Sequence, residues 1–138
     1  MAGEKGRVLV VDDDSLVRNS LAALLEEEFA VECAPDAAAA DSLLAAHPFE
    51  VVLADFEMPG RNGVDFLRDV HERFPGMMGL LITGHSDHPL VLAANKTAEV
   101  SRVIEKPYDP ERMLRWVDNV VKLARLQRST MAVKPSLP

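Results

Sequence analysis

The chain has little with which to cross-link or stack itself. Among 138 residues there is one cysteine, one tryptophan, one tyrosine and five phenylalanines. A lone Cys33 excludes an internal disulfide and fits a reducing compartment; its expected place is that of a small buried apolar residue. Scarce aromatics require a mainly aliphatic core. No apolar run approaches the roughly 20 residues of a membrane span. The polar start, Met1 to Arg7, has no signal-peptide core, so a cytoplasmic protein with no membrane contact is expected. Fifteen bases against 22 acids give a net charge of −7, which argues against nucleic-acid binding by the surface as a whole.

What the sequence does have is short apolar runs that stop at polar residues. Arg7-Val8-Leu9-Val10-Val11 reads as a strand covered on both faces and ends at Asp12-Asp13-Asp14. Ser15 is placed to cap a helix with Leu16, Val17, Leu21, Leu24 and Leu25 at helical spacing. Ala30 to Ala34 reads as a second strand, and Asp36 caps an alanine-rich helix through Ala46, closed by Pro48. Val51 to Ala54 is a strand that stops at Asp55 and gives way to the turn formers Pro59, Gly60 and Gly63. A third helix carries Val64, Leu67, Val70 and Phe74 on one stripe and stops at Pro75.

The fourth strand, Met77 to Ile82, ends at Thr83-Gly84. Asp87 as cap and Pro89 in the first turn open a fourth helix through Leu90 to Ala93. Arg102 to Glu105 is the fifth strand and ends at Lys106-Pro107. Asp109 and Pro110 open a last helix with Leu114, Val117, Val121 and Ala124 on one face. Residues 1–126 are expected to form one domain, and 127–138 a flexible tail or linker.

Strand and helix alternate five times. Right-handed crossovers then require an α/β fold: a doubly wound parallel sheet with helices on both faces. Groups past the carboxyl ends of such strands gather in one crevice. Here they are Asp12, Asp13, Asp55, Thr83 and Lys106. Clustered carboxylates repel unless a proton or a cation joins them, and an all-oxygen set rich in Asp suits Mg²⁺. Lys106 supplies a mobile positive charge and Thr83 a hydroxyl donor. In that setting Asp55 is a nucleophile that accepts a phosphoryl group. Taken singly, each residue has a plainer role as a turn, cap or surface group. Their joint placement at four strand ends is what favours chemistry.

These stretches resemble the response-regulator receiver domain of two-component signalling. The resemblance rests on Val8 to Asp14, Val51 to Pro59, Leu81 to His85 and Val103 to Pro107. It implies a five-stranded flavodoxin-like order 2-1-3-4-5. Asp55 would take the phosphoryl group from a sensor histidine kinase or histidine phosphotransfer protein. Mg²⁺ would be bound by Asp13, Asp55 and the backbone carbonyl of Glu57, with Asp12 acting mainly through water. Thr83 and Lys106 would bind the phosphoryl group, Lys106–Pro107 would be cis, and phosphorylation would repack the surface of helix 4, strand 5 and helix 5. The same surface is where a homodimer would form. Such a domain is a switch and not an enzyme acting on a free substrate, and it makes no direct nucleic-acid contact. The alternatives are a pseudo-receiver that only binds, or an Asp-nucleophile phosphatase. The latter lacks an insertion long enough for a substrate-covering cap.

Two departures stand out. Val103 occupies the switch position where relatives carry Tyr or Phe. Ala98 to Arg102 lacks the acidic pair of the winged-helix branch, which argues against its salt-bridged dimer. Glu57 and His85, each two residues past a site residue, are expected to tune the lifetime of the phosphorylated state. His85-Ser86-Asp87-His88 reads as a loop and cap, not as a zinc site. The bases Arg112, Arg115, Lys122, Arg125, Arg128 and Lys134 read as a solvated helix face.

Overall fold

In a computed structural model the described residues are 4–133, with side chains through Arg128. The elements are β1 (Arg7–Val11), α1 (Ser15–Leu25), β2 (Ala30–Ala34), α2 (Ala37–Ala46), β3 (Val51–Asp55), α3 (Gly63–Arg73), β4 (Met78–Thr83), α4 (Pro89–Ala94), β5 (Arg102–Glu105) and α5 (Pro110–Val133). All strand pairs are parallel, in the order β2-β1-β3-β4-β5.

Strand alternation divides the interior into two layers. Leu9, Val11, Val52, Ala54 and Leu81 face the side covered by α2, α3 and α4, where Ala40, Leu44, Val64, Leu67 and Val91 meet them. Val8, Val10, Val51, Leu53, Leu80, Ile82 and Ile104 face α1 and α5, against Leu21, Leu25, Met113, Val117 and Val121. The central β3 is buried along its whole length, which is why it reads as an unbroken apolar run. Cys33 is only half-buried, because it lies on the edge strand β2; burial still pushes its thiol pKa up.

Several helix ends differ from expectation. α1 is capped by Asp14, whose carboxylate accepts from the amides of Leu16 and Val17, so Ser15 is the first helical residue. Leu16 is 80% exposed; at the start of the helix it lies beyond the sheet, which α1 reaches through Leu21, Ala22 and Leu25. α4 is capped by His88, whose Nδ1 accepts from the Leu90 amide at 3.1 Å, and Asp87 stays in the preceding loop. β4 starts at Met78, and Phe74 serves as the C-cap of α3. α5 continues through Val133, so residues 127–133, expected as a flexible tail or linker, are helical, which is at odds with a flexible tail but not with a linker; 134–138 lie outside the described residues. Asp36 and Asp109 do cap: their carboxylates accept from the amides of Ala39 and Arg112 at 2.8 and 3.0 Å.

Candidate functional site

Register decides which side chains share the rim. Asp55, the last residue of β3, pairs with Ile82 of β4, and the next residue, Thr83, pairs with Glu105 of β5. Asp12 follows the last residue of β1, and its amide is held by the Ala34 carbonyl at 3.1 Å. The Lys106 amide donates to the Thr83 carbonyl at 2.8 Å, which continues the β4–β5 ladder one step past the sheet. The five expected residues therefore stand at the same ends of four adjacent parallel strands.

Their side chains are brought together unequally. Lys106 Nζ lies 2.6 Å from Asp55 Oδ1, and the Glu57 amide donates to Asp55 Oδ2 at 3.1 Å. Asp12, Asp13 and Asp55 each place a carboxylate oxygen within 4.8 Å of the others. Asp12 and Asp55 are 3% and 6% exposed, whereas Asp13 is exposed to solvent. Thr83 is buried, and its Oγ1 accepts from the His85 amide at 2.8 Å, so the hydroxyl hydrogen remains to be donated. The Lys106–Pro107 peptide is cis.

Electrostatics follow from burial. Removal from water raises the pKa of Asp55; its bond to Lys106 and the Glu57 amide oppose this, and Asp13 adds to it. Burial likewise raises Asp12, with the Asp14 amide (2.9 Å to Oδ1) opposing and Asp55 reinforcing. Burial disfavours the Lys106 ammonium, yet its bond to Asp55 leaves its pKa above the ordinary lysine value. Three clustered carboxylates against one ammonium leave excess negative charge on all-oxygen donors. That donor set fits a hard divalent cation such as Mg²⁺.

Glu57 and His85 meet across the rim, His85 Nε2 lying 3.3 Å from Glu57 Oε1, and both are well exposed. Val103 is half-buried beside a recess of 250 Å³ lined by Ser86, Val91, Leu92, Asn95 and Glu105. Other supporting contacts carried no sequence signal. Arg18 Nη1 donates to the Asp12 carbonyl at 2.7 Å, fixing the turn that carries the acid pair. Gly63 starts α3 so close to β3 that a Cβ there would stand 2.4 Å from the Asp55 carbonyl oxygen. Arg61 bridges Asp69 at 2.7 Å and also Asp41, tying α3 to α2. Long-range pairs of this kind have no period or spacing to betray them.

The family model for the response regulator receiver domain matches residues 8–118. The hydrogenase transcriptional regulatory protein HoxA of Cupriavidus necator is 35% identical over 127 residues, covering 92% of this chain and 26% of that protein. The transcriptional regulatory protein FixJ of Bradyrhizobium diazoefficiens is 32% identical, covering 94% and 63%. The chain thus spans about a quarter of the one and under two thirds of the other. Among solved structures, a CheY-like receiver domain protein from Methanospirillum hungatei superposes with a TM-score of 0.83 at 26% identity, over 90% of this chain and 99% of that one. Motifs at four strand ends, the 2-1-3-4-5 sheet and the family match coincide: the chain belongs to the response regulator receiver domain family.

Proposed function

We propose that this domain is a phosphoacceptor switch in which Asp55 takes a phosphoryl group from a phosphohistidine on a sensor histidine kinase or a histidine phosphotransfer protein. In the transfer the P–N bond to the donor imidazole breaks, a P–O bond to an Asp55 carboxylate oxygen forms, and the donor keeps the electron pair of the broken bond. The observation that carries this reading is the pairing of a nearly buried Asp55 with Lys106 at 2.6 Å, inside a cluster with Asp12 and Asp13.

Asp13, Asp55 and the backbone carbonyl of Glu57 would hold Mg²⁺, with Asp12 acting through water. The ion's contribution is to offset charge on the phosphoryl oxygens. Lys106 exchanges its bond to Asp55 for phosphoryl oxygens, a point charge already in place. The Thr83 hydroxyl donates to another of those oxygens. Glu57 and His85, facing each other at 3.3 Å, govern access of the hydrolytic water and so the lifetime of the acyl phosphate.

The output runs through Thr83 to the face formed by α4, β5 and α5, which also serves a homodimer. With Val103 and its 250 Å³ recess in place of an aromatic ring, that relay works by movement of α4 over the recess. The domain is a switch that assists its own phosphorylation and dephosphorylation, placed in the cytoplasm with its kinase. The test is incubation with acetyl phosphate, with and without Mg²⁺, followed by intact mass. A Mg²⁺-dependent phosphoryl adduct absent from Asp55→Asn is expected. An adduct that survives Asp55→Asn defeats the reading by placing the acceptor elsewhere, and no adduct on the wild type defeats it in favour of a pseudo-receiver.

A further inference from the structure

Arg61 lies in the loop between β3 and α3, after Glu57 and before Gly63. Its guanidinium bonds carboxylates from two helices: Asp69 of α3 through Nη1 at 2.7 Å, and Asp41 of α2 through Nη2. Asp41 also accepts from Arg73 Nη1 at 3.2 Å. The Arg61 guanidinium stands 5.7 Å over the ring of Phe66, one of the fully buried side chains. Four alternating charges, Arg73, Asp41, Arg61 and Asp69, therefore run between α2 and α3 and fasten the loop to both.

Stability accounts for little of this network. Its side chains are 32% to 45% exposed, where single ion pairs add little. What the network does fix is position. Between Arg61 and the site stand Gly60, in the left-handed region at φ 81°, Pro59 with its locked φ, and buried Met58. At the site end the Glu57 amide donates to Asp55 Oδ2 at 3.1 Å, and at the helix end the Gly63 amide donates to the Phe56 carbonyl at 2.9 Å. A loop held at both ends and stiff between them has little slack, so a shift at Arg61 is passed to the Glu57 peptide.

We propose that Arg61 is a positioning residue: clamped by Asp41 and Asp69, it sets where the Glu57 backbone carbonyl stands, and so sets the affinity of the Asp12–Asp13–Asp55 cluster for a divalent cation. The inference rests on the Mg²⁺ role given to that carbonyl under the proposed function. Through Arg61, α2 gains a hold on a site to which it contributes no ligand. Charge and position pull in opposite directions here. Loss of the Arg61 charge alone makes the region more negative and favours a cation, whereas loss of the clamp weakens its binding.

The test is a Mg²⁺ titration of the whole chain without phosphodonor, followed by calorimetry and by the rise in melting temperature. Arg61→Met should weaken Mg²⁺ binding about tenfold, the low end for a change behind the ligands themselves. Arg61→Lys, a point charge able to meet one carboxylate, should fall between that variant and wild type. Arg68→Met removes the same charge from an exposed pair with Asp65 on the same helix, and should bind Mg²⁺ as wild type does or slightly tighter. Acetyl-phosphate labelling of Arg61→Met should be slowed at limiting Mg²⁺, with most of the loss recovered at saturating Mg²⁺. Wild-type or tighter Mg²⁺ binding by Arg61→Met overturns the proposal and leaves the acceptor role of Asp55 standing. Should that variant fail to fold, wild-type affinity in Arg61→Lys overturns it instead. A wild type that binds no Mg²⁺ defeats both the proposal and the reading beneath it.

Discussion

Lys106 Nζ and Asp55 Oδ1 lie 2.6 Å apart although 51 residues separate them in sequence, because β3 and β5 end at the same rim with only β4 between them. The lysine offsets much of the cost of burying a carboxylate and stands where charge on a transferring group would gather. Lys106→Gln keeps the hydrogen-bonding reach and removes the charge. It should lower the rate of acetyl-phosphate labelling of Asp55 on the order of a hundredfold, with the fold retained by circular dichroism. Labelling at the wild-type rate would show that Lys106 is a structural counter-ion only.

Glu57 and His85 face each other at 3.3 Å in an exposed position, so the pair contributes little to stability. The proposed role of the pair is to order water at the mouth of the candidate site. Glu57→Ala and His85→Ala should each change the half-life of phosphorylated Asp55 by several-fold, while melting temperatures stay within a degree or two. The double variant should not show the product of the two effects if the residues act as a unit. Loss of phosphate at the wild-type rate in all three would remove the tuning role.

Burial makes the ionised form of Asp12 costly. Burial raises its pKa above the value it has unfolded, so the folded state binds a proton more readily than the unfolded state. The favourable contribution is fully present below the unfolded carboxylate pKa and is lost as pH rises through the raised folded value. In chelator-treated protein at neutral pH, Asp12→Asn should therefore melt higher than wild type, its amide oxygen still accepting from the Asp14 amide. The difference should shrink as pH falls through the acid range and vanish below it. A variant that melts lower at neutral pH would show that Asp12 is stabilised by more than this geometry provides.

Sequence pattern located the site better than it located the helix ends. β3 was legible because both its faces are buried, and Asp55 because a carboxylate closing such a run has few places to go. Asp12, Asp13, Thr83 and Lys106 were legible for the same reason: strand ends in a parallel sheet share one edge. The caps were harder. Asp14 and Ser15 are both good cap residues, and the choice depends on the backbone path out of β1, which Arg18 fixes by reaching back to the Asp12 carbonyl. His88 displaced Asp87 because its ring also packs edge-on against Phe56, with centroids 4.8 Å apart, a contact between loops far apart in sequence.

Gly63 illustrates a requirement that only the packed structure reveals. Its backbone passes so near β3 that a Cβ would meet the Asp55 carbonyl oxygen at 2.4 Å and Leu81 Cδ1 at 2.8 Å. The oxygen belongs to the strand that carries the phosphoacceptor candidate and cannot rotate away. Gly63→Ala should destabilise the domain by about 1–3 kcal/mol, as overpacking does, and slow acetyl-phosphate labelling by displacing Asp55. Alanine is otherwise the better helix former, so an unchanged or raised stability would mean that α3 shifts freely and does not fix the site.

The end of β3 opposite Asp55 is also pinned. Glu50 is 5% exposed, accepts from the Arg7 amide at 2.9 Å and is bonded by Arg125 Nε; Arg128 Nη2 stands 3.6 Å away. Arg125 also donates to the Glu4 carbonyl at 3.0 Å, so one guanidinium joins the start of the chain, the base of β3 and the far half of α5. Arg125→Met preserves much of the stem packing and strands the Glu50 charge. Full removal of a buried partner costs about 3–5 kcal/mol; Arg125 is itself 38% exposed and Arg128 remains nearby, so about 1–3 kcal/mol is expected at neutral pH. Glu50→Gln/Arg125→Met, with no charge left behind, should recover part of that loss. Recovery would assign the cost to the stranded carboxylate. An equal or larger loss in the double variant would assign it to the packing of α5 against the base of the sheet.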